Sequence, residues 1–237
     1  MPKAWSATAV FLALLFLTTL ACALPTSPTS GPLPTPTVEG DSLELLIPAF
    51  TYNMQPGDTI PGTRLEYIGK TGDVFEVSID GVTTNKRFGD SFIWSGIVAP
   101  GVHATYNLRL TTEIIGTLPV GGPVNLVILN PEPAAISTLP VNNEAFHYNN
   151  IFVTYNVPIG FNLPGTTLIY DGVAQQGEID SARLLGTEGH PLFAVGDSIT
   201  WIGTLRENVT ASYTFRVVNY NEENLQVTGT AEIWVND

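Results

Sequence analysis

Ser91 and Ser198 are the residues whose type and setting could do chemistry. Each follows a glycine and an aspartate, in Gly89-Asp90-Ser91 and Gly196-Asp197-Ser198. A serine on such a turn can be presented to a carbonyl carbon, but its hydroxyl is a weak nucleophile until a base in hydrogen-bond reach takes the proton. The chain offers three histidines, His103, His147 and His190, and they are scattered. No histidine has a second histidine or a cysteine at metal-ligand spacing, so surface imidazoles are a better account of them than ligands. Cys22 is the only cysteine, which excludes a disulfide within the chain and any cysteine-based zinc site. Asn219-Tyr220-Asn221-Glu222-Glu223-Asn224 is rich in oxygen donors but lacks the spaced pattern of a calcium loop, and it reads as a solvated turn. No catalytic residue, metal or cofactor is therefore expected.

The elements that must position these groups come in two copies. Gly89-Asp90-Ser91-Phe92-Ile93-Trp94-Ser95-Gly96-Ile97 returns as Gly196-Asp197-Ser198-Ile199-Thr200-Trp201-Ile202-Gly203-Thr204. Thr51-Tyr52-Asn53 matches Thr154-Tyr155-Asn156, and Pro61-Gly62-Thr63 with Leu65 and Tyr67 matches Pro164-Gly165-Thr166 with Leu168 and Tyr170. Val102, Ala104, Tyr106 and Arg109 match Val209, Ala211, Tyr213 and Arg216. Two structural units of one kind stand in tandem. A motif that recurs at matched places is explained by a role in the unit: glycine for the turn, aspartate to cap it, tryptophan for the core.

Phe193-Ala194-Val195-Gly196-Asp197-Ser198-Ile199-Thr200 resembles the nucleophile block of the Gly-Asp-Ser esterases. That resemblance implies Ser198 as nucleophile and a histidine–aspartate pair downstream. Only 39 residues follow Ser198 (237 − 198), too few for the α/β sheet that would present such a pair. No Asp-x-x-His occurs, and the nearest sequence, Glu144-Ala145-Phe146-His147, precedes the motif. Gly69-Lys70-Thr71 ends like a phosphate-binding loop, but the first glycine's place is held by Arg64 and a hairpin surrounds it.

Charged residues make up 13% of the chain, roughly half the usual share, while 22 Gly and 18 Pro supply many turns. The formal net charge is -13, with 22 acids against 9 Lys and Arg. Such a surface disfavours nucleic acid and anionic headgroups. Residues 1–22 read as a secretory signal, with Lys3 followed by an uncharged apolar run. Thr18-Thr19-Leu20-Ala21-Cys22 resembles a bacterial lipobox, which implies lipid attachment at Cys22. Ala21-Cys22-Ala23 also fits ordinary signal peptidase, and an uncleaved anchor is a third reading. Residues 23–40, dominated by Pro, Ser and Thr, predict an extended spacer reaching on the order of 50 Å at ~3.1 Å per residue.

From Ser42 onward apolar residues alternate or form short runs between turn signals. Leu43–Ile47 and Ala49–Asn53 read as separate strands around Pro48, and Lys70-Thr71-Gly72-Asp73 as a hairpin turn. In the clearest strand Val102, Ala104, Tyr106, Leu108 and Leu110 face one way, and Val209, Ala211, Tyr213, Phe215 and Val217 repeat it. The expected fold is all-β: two β-sandwiches, or failing that two small barrels, at 41–130 and 144–237, joined by a linker at 131–143. If that linker uncouples them, damage to one leaves the other folded.

Ile60-Pro61-Gly62-Thr63 with Tyr67, followed by Ile97-Val98-Ala99-Pro100-Gly101-Val102, resembles the bacterial cell-surface repeat family called domain of unknown function eleven. Leu163-Pro164-Gly165 and Trp201 to Leu205 carry it into the second repeat, where Arg206-Glu207-Asn208 replaces the Ala-Pro-Gly turn. The resemblance implies immunoglobulin-like sandwiches used as structural or adhesive units. Trp234 alternates out of phase with Ile233 and Val235, so it and Tyr220 are candidate contacts to a glycan or protein; burial at an interface is the plainer reading. The sequence thus points to a non-enzymatic, extracytoplasmic envelope lipoprotein. Its partners would be the membrane, through the lipid, and other envelope proteins or glycans. A glycan- or protein-binding module and a secreted esterase are the alternatives.

Overall fold

Period-two burial runs through nearly every element of the computed structural model, which describes residues 41–139, 145–176 and 179–236. The described residues form strands and turns without a helix. Repeat one comprises β1 (Ser42–Met54), β2 (Leu65–Thr71), β3 (Val74–Ile79), β4 (Val82–Lys86), β5 (Ser91–Ala99), β6 (Val102–Leu110) and β7 (Leu118–Leu129). Four of these make an antiparallel sheet in the order β1-β7-β6-β5, and the others a three-stranded sheet, β2-β3-β4. After the two-residue β8 (Ala134–Ala135), repeat two supplies β9 (Phe146–Pro158), β10 (Ile169–Gln176), β11 (Ile179–Leu185), β12 (Leu192–Phe193), β13 (Ser198–Arg206), β14 (Val209–Tyr220) and β15 (Asn224–Val235). The same pattern returns as β9-β15-β14-β13 and β10-β11-β12, with β8 added outside β13. The fold is all-β, of β-sandwich type, and no barrel closes.

The two strands expected around Pro48 are one. β1 pairs with β7 from Ser42 to Met54, and its register shifts between Ile47 and Phe50. Proline lacks the N–H a ladder needs, and an edge strand tolerates that loss at a bulge.

Each repeat is pinned by its tryptophan. Trp94 and Trp201 are buried on equivalent strands, and their indole N–H groups donate to Asp80 Oδ1 at 3.0 Å and to Thr167 Oγ1 at 2.9 Å. Two residues on, Gly96 and Gly203 lie against the rings. A Cβ at Gly203 would stand 2.3 Å from the Trp201 ring and 2.4 Å from the Ala134 carbonyl oxygen, and one at Gly96 would stand 2.5 Å from Trp94. The repeated Trp-x-Gly is therefore a packing requirement.

The repeats are not insulated from each other. Val38–Asp237 forms one compact unit, and the buried residues of both repeats form one apolar cluster. The Phe50 ring of β1 lies 6.1 Å from Phe146, edge to face, and 6.3 Å from Tyr148 of β9, tilted. At the centre Tyr106 and Tyr148 share a buried hydroxyl–hydroxyl hydrogen bond of 2.7 Å. Burial pushes both phenols well above their ordinary pKa. Arg206 Nη1 donates to the Leu129 carbonyl, and Asn208 Nδ2 donates to Pro100 O at 3.2 Å, tying the β13–β14 turn to repeat one.

The junction is pseudo-symmetric only in outline. Leu45 holds in repeat one the place of Tyr148 in repeat two, opposite Leu126 and Ile233 respectively. Tyr213, the counterpart of Tyr106, therefore makes no hydroxyl–hydroxyl hydrogen bond of this kind. Its buried hydroxyl has no partner among the described residues, and a Cβ at Gly165 would touch both that oxygen (2.5 Å) and Leu43 (2.9 Å).

Two outcomes follow from this core. Tyr148→Phe should cost about 1–3 kcal/mol by stranding the Tyr106 hydroxyl, the Tyr106→Phe/Tyr148→Phe pair should cost less than the sum of the singles, and Tyr213→Phe should be neutral or stabilising. Chemical denaturation of the four variants measures this. Trp201→Ala should cost about 3–5 kcal/mol and lower a single transition for both repeats. Calorimetry in which repeat one keeps its own unshifted transition would contradict it.

Candidate functional site

The Gly-Asp-Ser segments are turns clasped to the neighbouring strand. Gly196 adopts φ +93°, where a side chain would be strained. Its N–H donates to Val217 O at 2.9 Å, and the Val217 N–H donates to Asp197 O at 3.0 Å. Asp197 Oδ2 accepts from the Ala194 N–H at 2.8 Å, closing the turn. Repeat one does the same with Gly89, Leu110, Asp90 and Arg87 (the Arg87 N–H donates to Asp90 Oδ2 at 2.8 Å). Ser91 receives a hydrogen bond from Arg109 Nη1. Both aspartates are thus occupied as turn caps.

Around Ser198 the fold nevertheless builds a cavity. It occupies about 370 Å³ and is lined by residues of β12, of β13, of the β11–β12 loop and of the chain leaving β8. Glu188, His190, Ser198, Thr200, Phe193 and Trp201 contribute to its walls. Four hydroxyl side chains (Ser137, Thr187, Ser198 and Thr200), a carboxylate, an imidazole and two aromatic side chains line a space fit for a small polar ligand. The loop between β11 and β12 brings Glu188 and His190 here. Sequence reasoning looked for a histidine downstream of Ser198 and missed one eight residues upstream. The cue was Gly186-Thr187-Glu188-Gly189-His190, a glycine-bounded turn just before the motif.

The other histidines stand elsewhere. His103 pairs with Ile97 and Val127 within its sheet, and burial holds its imidazole below the ordinary pKa. It is half-buried, on the face of β6 that Thr105, Asn107 and Arg109 share. His147 stacks flat on Trp234, with ring centroids 4.6 Å apart and planes 3° from parallel. Its Nε2 lies 2.8 Å from Glu232 Oε2.

Trp234 stands on β15 between buried Ile233 and Val235, half-buried on the opposite side of the strand and across from buried Thr210. Tyr220 lies at the far end of the same sheet, paired with Leu225, and its hydroxyl donates to the Asp180 carbonyl. The two aromatics expected as ligand contacts are therefore not brought together; Trp234 is joined by His147 and Glu232 instead. Cys22 lies outside the described residues. Among the described residues no group of three or more His, Cys, Asp and Glu is placed to hold a metal ion.

No family model, no curated protein and no solved structure matches the chain at a significant level.

If the motif is a turn, its aspartate matters more than its serine. Asp197→Ala should cost about 1–2 kcal/mol by leaving the Ala194 N–H without its acceptor, and Ser198→Ala less than about 0.5 kcal/mol. Thermal denaturation measures both. Hydrolysis of a p-nitrophenyl ester by the purified protein, abolished in Ser198→Ala, would instead make the serine a nucleophile.

Proposed function

We propose that this chain is a non-enzymatic cell-envelope lipoprotein whose twin β-sandwiches act as a structural or adhesion module held off the membrane. The observation that carries the reading is the continuous core through Phe50, Tyr106, Phe146 and Tyr148, which makes one stiff body of two repeats. A stiff double sandwich suits a part that must hold a distance or transmit a load, because sliding between the halves would open a buried, hydrogen-bonded junction. The leader fits the same role. Cys22 at the end of an apolar run is the lipid site of this reading, and the 23–40 spacer is its tether. The net charge of -13 repels anionic headgroups and favours a body standing clear of the bilayer. The resemblance to cell-surface repeats points the same way.

A second reading rests on the cavity beside β13. Aromatic faces with hydroxyls, Glu188 and His190 could grip a sugar or a peptide side chain, which would make the module a glycan- or protein-binding one. Of the two readings, the rigid core favours the first.

The address is tested at the N-terminus. Mass spectrometry of the purified protein should find Cys22 as the first residue, carrying at least two acyl chains, since one chain gives only marginal anchoring. Cys22→Ser should leave the membrane fraction or remain unprocessed. An unmodified chain beginning at Leu24 would show ordinary cleavage and remove the anchor.

A further inference from the structure

One strand edge lacks the covering strand that its counterpart has, although the Gly62 turn packs on the Val98 carbonyl at its end. In repeat two, β8 lies along β13 at Gly203 and Thr204, with the Glu132 N–H donating to Leu205 O at 2.8 Å and the Ile136 N–H to Ile202 O at 3.0 Å. In repeat one the corresponding strand, β5, ends its sheet, and no described strand lies outside it. Natural edges are guarded by lysine, proline or a covering segment. β5 is Ser-Phe-Ile-Trp-Ser-Gly-Ile-Val-Ala, nine residues with no charge and no proline. Ile97 on it is 72% exposed, where repeat two has Thr204 beneath β8.

The backbone of this edge is set to pair. Ile202 turns its carbonyl outward to β8, and Ser95 is its counterpart in β5. Alternation along a strand then points the N–H and C=O groups of Ser91, Ile93 and Ser95 outward. We propose that a second copy of this chain lays its own β5 antiparallel along this edge about a twofold axis, joining two four-stranded sheets into one of eight.

Self-pairing suits the residues at the two ends. Antiparallel alignment sets the Lys86-Arg87-Phe88 end of one β5 beside the Ala99-Pro100 end of the other. Pro100, Arg206 and Glu207 border one surface hollow at that second end, so the cations of each copy meet charges of both signs there and the attraction rests on the apolar residues. Phe88 and Ile97, both exposed, are carried toward each other twice over. Repeat one is also the less acidic half. Residues 41–130 hold 9 acids against 5 Lys and Arg, a net of -4, whereas residues 131–237 hold 12 against 3, a net of -9.

The test is the mass of the full chain by sedimentation equilibrium in density-matched detergent, with hydrogen exchange read across Ser91–Ala99. The expected mass is twice that of one chain as mass spectrometry weighs it, with β5 exchange slowing as protein concentration rises. Ser95→Pro removes an outward N–H without touching the ladder to β6, and Ile97→Lys puts a charge on the exposed edge; each should halve the mass. If the proline variant fails to fold, the surface lysine decides. Ile115→Lys, at a fully exposed site off β5, should leave the dimer intact. A monomeric wild-type mass overturns the proposal. Protection of β5 that does not depend on concentration also overturns it, because the chain would then cover its own edge. So does a dimer that survives both β5 substitutions.

Discussion

Taking a phenol out of water costs free energy unless its hydroxyl finds a partner, and the pairing of Tyr106 with Tyr148 supplies that partner across the two repeats. The bond belongs to both repeats, so parting them would strand two hydroxyls. Phe50 and Phe146 extend the contact, and Arg206 and Asn208 fasten the turn between β13 and β14 to carbonyls of repeat one. The two repeats differ at a few matched positions, such as leucine in one and tyrosine in the other at Leu45 and Tyr148, and the tyrosine closes the shared core. Tyr213 shows the incomplete side of that difference, because its buried hydroxyl, beside Gly165, makes no hydrogen bond among the described residues.

The repetition also separates structure from chemistry in the Gly-Asp-Ser motif. Both copies clasp the next strand with the same backbone hydrogen bonds, and both aspartates close a turn. Only in repeat two does a loop bring Glu188 and His190 to the serine's side of the sandwich. The turn belongs to the architecture of the unit, and any special use of Ser198 is an addition made by that loop. Cover at the strand edge is likewise unequal, with β8 on β13 and no described strand on β5.

Much of the fold was legible because strand periodicity is a local signal. The alternation of Val102, Ala104, Tyr106, Leu108 and Leu110 predicts a half-buried strand, and the structure buries all five. The hairpin at Gly72-Asp73 and the core sites of Trp94 and Trp201 were readable for the same reason: turn chemistry and bulk act over a few residues. What depends on distant partners was not readable. Pro48 suggested a break, whereas pairing with β7 carries β1 through it as a bulge. β8, two residues among prolines, has no periodicity to detect. The bond between Tyr106 and Tyr148 spans 42 positions, and only the docking of β1 on β9 makes it possible. The cavity beside Ser198 was hidden because its loop lies upstream, whereas the Gly-Asp-Ser esterase pattern places its histidine downstream of the serine. Trp234 was read correctly as out of phase with the core residues beside it; its stacking on His147 depends on the pairing of β9 with β15.

The central claim is that the two sandwiches form one cooperative body, and native-state hydrogen exchange tests it most directly. The amides of β6 and β14 lie deep in their own repeats, far apart in sequence, and each depends on the shared core only through packing. If the account is right, the slowest amides of both strands will exchange with the same free energy of opening and the same dependence on denaturant. Two distinct global openings, one for each repeat, would contradict it.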